Sequence, residues 1–119
     1  MPASNDTLLS LSGKAGEEII TLLQDIAPEA LSGEREVSLS DAADVIIRHG
    51  IFPFVRYGRP CSAYPGCGYF EYGCDSSSGP AFGGGRADSY AEAFRLAVRG
   101  GLELLRLRQE ALSSVPFYY

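Results

Sequence analysis

Apolar residues recur at steps of three and four from Leu8 through Leu11, Ala15, Ile19 and Leu22 to Ile26, a spacing that gathers them on one stripe of an amphipathic helix. The pattern predicts a helix over residues 5–26, capped by Asp6. Its firmest part is 15–26, because Gly13 and Gly16 each cost up to about 1 kcal/mol against Ala. Pro28 and the polar turn Ser32, Gly33, Glu34, Arg35, Glu36 end it. A second, shorter helix is predicted over 41–49. Ser40 stands at its cap, Ala42, Val45 and Ile46 form its inner face, Arg48 and His49 sit at the negative end of its dipole, and Gly50 stops it.

Residues 51–57 and 68–74 are rich in β-branched and aromatic side chains, and the stretch between them carries Pro60, Pro65 and Gly66. This predicts an antiparallel hairpin with a long loop, followed by a third short strand at 80–83. The last element has the strongest signal. Ser89 and Glu92 make a capping box, and Tyr90, Phe94, Ala97, Val98, Gly101, Leu102 and Leu105 form a continuous inner stripe. Arg99 and Glu103 form an (i, i+4) pair on its outer face. Asp88 and Glu92 lie at its positive end, Arg106 and Arg108 toward its negative end. Gly100 and Gly101 in mid-helix are costly unless a neighbouring element approaches closely. The order predicts a single α+β domain over 1–119: two N-terminal helices, a two- or three-stranded antiparallel sheet, and a long C-terminal helix packed on it.

That order, with Ser89 opening a last helix of alternating Ala, Leu and small residues, resembles a double-stranded-RNA-binding domain. The lysines with which that family grips phosphate at the start of its last helix are replaced here by Tyr90 and Ala91, so the resemblance implies shared packing and not RNA binding. Charge points the same way. Ten basic against fifteen acidic residues give a net charge of -5, which opposes attachment to nucleic acid and suits a basic protein partner. With 45% hydrophobic and 21% charged residues the composition is that of a globular domain. No apolar run is long enough for a membrane span, and no basic start or apolar signal core is present, so a cytoplasmic protein without membrane contact is expected.

Cys61, Cys67 and Cys74 invite a zinc site with His49, but structural zinc usually takes two ligands from one tight turn, and these cysteines are spaced more widely. If 68–74 is extended, Cys67 and Cys74 stand about 23 Å apart at about 3.3 Å per residue. Free thiols, no metal and no cofactor are expected. Cys67 or Cys74 could be combined with His49 and Asp75 as a nucleophile, but nothing local supports that assembly. Gly83, Gly84, Gly85 and Arg86, immediately before the last helix, are the candidate site for a phosphorylated small molecule such as a nucleotide; Asp88 and Glu92 oppose an anion there.

The seven Tyr and six Phe concentrate in the hairpin and at the C-terminus. Strand alternation places Phe52 and Phe54 opposite to Tyr57, and Tyr69 opposite to Phe70 and Tyr72, so both faces of the sheet carry rings. Tyr and Arg dominate interface hot spots, which makes Arg56, Tyr57, Arg59, Tyr64 and Tyr69 the candidate contact patch. Phe117, Tyr118 and Tyr119 are expected to fold back on the domain or to clasp a second copy as a homodimer. The function expected is that of a small acidic, non-enzymatic binding protein that recognises or occludes a macromolecule, concretely an inhibitor such as a phage-encoded anti-defence protein. A nucleotide-sequestering protein is the alternative.

Overall fold

A computed structural model describes residues 8–58, 69–77 and 82–114. The fold is α+β, with three α-helices and two antiparallel sheets among the described residues. Strand β1 (Leu8–Ser10) pairs with β2 (Glu36–Ser38), placing Leu9 opposite Val37. Helix α1 (Gly13–Ile26) lies between them in sequence. The single long helix expected over 5–26 is thus split. Leu11 is buried as predicted, but Leu8 is only half-buried, and Leu9 takes the core position instead, through a strand whose partner lies more than twenty residues on. Within α1 the expected inner residue Ile19 is buried with Leu23, and Leu22 and Ile26 pack at the margin of the core.

Helix α2 (Leu39–Arg48) begins at Ser38, two residues before the predicted cap, and buries Ala42, Val45 and Ile46 as expected. His49 follows it with Nδ1 2.8 Å from the Val45 carbonyl oxygen, a local bond at the helix end. Strands β3 (Ile51–Gly58), β4 (Tyr69–Ser76) and β5 (Phe82–Ala87) form the main sheet in that order, each antiparallel to the next. The third strand is longer than the predicted 80–83 and takes in the glycine run. A bulge between Tyr72 and Cys74 shifts the β4–β5 register, and Gly84 sits beside it at φ +70°, against the Tyr72 carbonyl. That backbone conformation favours glycine, and the missing Cβ gives the carbonyl room.

Helix α3 (Tyr90–Ser114) starts where the capping box predicts, with the Glu92 amide donating to Ser89 Oγ at 3.2 Å. It crosses the sheet and buries Ala93, Ala97, Val98, Leu102 and Leu105. Tyr90, placed on the inner stripe by periodicity, is 59% exposed because it lies at the end of the sheet. From Leu39 onward the described residues run helix, three antiparallel strands, helix. The close approach that the paired glycines require is present at Gly101. A Cβ there would stand 2.5 Å from Ile46 Cδ1, 3.1 Å from Cys74 Sγ and 3.3 Å from Ile51 Cγ2, so α3, α2 and the sheet meet at that residue.

Candidate functional site

The register of the hairpin decides which side chains share a face. Arg56 pairs with Glu71, Tyr57 with Phe70 and Gly58 with Tyr69 in β3–β4, while Glu71 pairs with Arg86 in β4–β5. Alternation then gives the sheet two unlike sides. Ile51, Pro53, Val55 and Tyr57 with Phe70, Tyr72 and Cys74 face α3, and Ile51 and Cys74 there are fully buried. Phe52, Phe54 and Arg56 with Tyr69, Glu71, Asp75 and Arg86 face outward. Among the described residues this outer side is left open.

The outer side is organised around rings and guanidinium groups. Phe52 is 42% exposed. The Arg56 guanidinium lies 4.8 Å from the centre of the Phe54 ring, and that of Arg86 lies 4.8 Å from the centre of Tyr69. Tyr69 spreads across Gly58, where a Cβ would collide with the ring, and its hydroxyl donates to Glu71 Oε1 at 3.4 Å. Glu71 also stands 3.9 Å from Arg56 Nη2. Shallow depressions of about 250 and 160 Å3 open between Phe54, Arg56, Glu71, Asp75 and Arg86. Two cations and two carboxylates balance, so the face is neutral as a unit, with Arg56 and Arg86 flanking Glu71 across the three strands.

The expected contact patch is divided by this geometry. Arg56 and Tyr69 lie on the outer face, whereas Tyr57 belongs to the side toward α3. There it begins a row of rings: Tyr57 meets Phe70 edge-on at 5.2 Å, Phe70 meets Tyr90 at 6.2 Å, and Tyr90 stacks on Phe94 at 6.4 Å. Arg59, Tyr64, Phe117, Tyr118 and Tyr119 lie outside the described residues. Phe52, Phe54, Glu71 and Arg86 join the face without having been assigned to the patch. The Arg56–Glu71 pairing would have revealed them, but it follows from the register, and a long loop does not set a register as a two-residue turn does.

Gly83, Gly84, Gly85 and Arg86 were expected as a loop around an anion; they lie within strand β5, and Gly85 and Arg86 pair with Tyr72 and Glu71. A Cβ on Gly85 would stand 3.1 Å from the Tyr72 hydroxyl, so packing against β4 accounts for the small residue. Cys74 donates its thiol to the Ala97 carbonyl at 3.0 Å, and its pKa is pushed up to about 11, chiefly by burial and further by the neighbouring Asp75. At neutral pH it is a thiol, the opposite of an activated nucleophile. Asp75 points to the other face, so Cys74, His49 and Asp75 do not assemble. Cys61 and Cys67 lie outside the described residues, and among the described residues no three His, Cys, Asp or Glu side chains cluster as metal ligands do.

A pH dependence follows from the Cys74 environment. Its folded pKa lies above the ordinary value of 9.0, so the folded state keeps a proton that the unfolded chain releases, and stability falls as pH rises from about 9 toward 11. Urea denaturation of the wild type and of Cys74→Ala across that range should show a steeper loss in the wild type. Equal slopes would remove Cys74 as the cause.

Compared with known protein families, curated proteins and solved structures, the chain matches none. Among the described residues no helix is long and apolar enough to cross a membrane.

Proposed function

We propose that this chain is a small non-enzymatic binding protein that docks another protein on the outer face of the β3–β4–β5 sheet and occludes the surface it covers. The observation that supports this reading is the row of exposed Phe52 and half-buried Phe54 and Tyr69, with Arg56 laid over Phe54 and Arg86 over Tyr69. Aromatic residues and Arg are the side chains that carry most of the energy in protein interfaces, and here they sit on a rigid sheet, so little ordering cost attends their burial. A single-stranded nucleic acid could also stack on rings in a sheet. Glu71 and Asp75 offset Arg56 and Arg86 among those rings, and the whole chain carries -5, so phosphates would find no net positive charge there. A protein surface with apolar relief and both signs of charge is the better complement.

The test is affinity capture from a lysate of the native host, with wild type compared against Phe54→Ala, Arg56→Ala and Tyr69→Ala. Each substitution should weaken capture of the same protein by about 1 to 4 kcal/mol, or roughly five- to a thousandfold in affinity, with little change in melting temperature. Capture that survives all three changes, or that disappears on nuclease treatment, would contradict the reading.

A further inference from the structure

Helix α3 carries a second apolar stripe beside the one its core buries, with Leu104 half-buried against the core at its margin. Leu96, Gly100, Leu104 and Leu107 follow one another at helical steps, and with Tyr72 they line a groove of about 400 Å3. Leu107 is 49% exposed. A second depression of about 390 Å3, walled by Leu8, Leu9 and Arg95, shares Leu96 and Arg99 with the first. Between them they follow α3 from Glu92 to Leu107, about 22 Å of helix.

We propose that this face is the interface between two copies of the chain, with α3 packed antiparallel against α3 of the second copy. The argument is self-complementarity. A two-fold axis beside residues 101 and 102 sets Leu96 opposite Leu107 of the second copy and places the small Gly100 near the crossing, where helix backbones come closest. The same axis brings Arg99 within about one residue of the level of Glu103 of the second copy, and does so twice. Parallel packing would put Arg99 beside Arg99. A single helix pair is a small interface, so association in the micromolar range is expected.

The experiment is sedimentation of the full chain across micromolar concentrations, with melting temperatures recorded for every variant. Wild type should dimerise. Arg99→Glu should weaken the dimer about tenfold or more by facing Glu103 with a like charge, and Leu107→Arg should abolish it. The double variant Arg99→Glu/Glu103→Arg should restore association relative to Arg99→Glu. Glu103 lies 3.9 Å from Arg106, so the melting temperature shows whether the reversal disturbs the fold. A wild type that stays monomeric, a dimer indifferent to Arg99→Glu and Leu107→Arg, or a dimer lost on deletion of residues 117–119 while those two changes leave it intact would each overturn the proposal. So would a well-folded double variant no stronger than the single one.

Discussion

Gly101→Val should lower the stability of the folded chain by about 2 to 3 kcal/mol, a fall of roughly ten degrees in melting temperature for a domain of this size. The first added carbon already meets Ile46 Cδ1 at 2.5 Å, and the two further methyl groups must enter the space held by Cys74 Sγ and Ile51 Cγ2. All three neighbours are fully buried, so none can move into solvent. Gly101→Ala is the control. Its single carbon presses on the mobile end of Ile46, while removing a mid-helix glycine contributes up to about 1 kcal/mol in return. The alanine variant should therefore lie within about 1 kcal/mol of wild type. Thermal melts that rank valine beside alanine would mean that α3 does not seat against the sheet as described.

Arg106→Ala should cost about 2 kcal/mol, more than one surface ion pair is worth. Its side chain is only 15% exposed, and it joins α3 to α1 through Glu18 while also reaching Glu110 at 3.1 Å and Glu103 at 3.9 Å. Truncation removes a buried stem together with three partly exposed pairings. Arg106→Met keeps most of the stem, so it should recover about half of the loss. Added salt should narrow the gap between wild type and Arg106→Met, because the pairings are partly screened. A gap independent of salt would assign the effect to packing alone.

Much of this architecture was legible because the relevant forces are local. The cap at Ser89, the period of Ala97, Val98, Leu102 and Leu105, and the cost of glycine in mid-helix together located α3 and the closest contact in the core. Helix α2 followed from the same rules, displaced by two residues at its start. Strands β1 and β2 were not legible, since three residues at Leu8–Ser10 acquire strand structure only from a partner at Glu36–Ser38. The period of Leu8 and Leu11 suits a helix equally well, and a tertiary pairing overrides it. The extent of β5 was hidden for a similar reason: glycine is a poor strand former, and only the adjacent Tyr72 backbone and ring explain Gly84 and Gly85.

The outer face was half legible. Alternation separated Phe52 and Phe54 from Tyr57 correctly, but membership of the patch depended on which β4 residue stands opposite Arg56. Once the register is fixed, Glu71 and Arg86 join Arg56 and Tyr69, and residues assigned separately to a contact patch and a glycine loop become one surface.

That surface is tested most directly by placing a photoreactive benzoylphenylalanine at position 54, where the native ring already lies under Arg56. Irradiated in a lysate of the native host, the labelled chain should cross-link to the protein captured by wild type. The same group at position 107 on α3 should not yield that product. A cross-link from position 107 and none from position 54, with capture intact in both, would show that the partner sits elsewhere and that the outer face of the sheet is not its docking site.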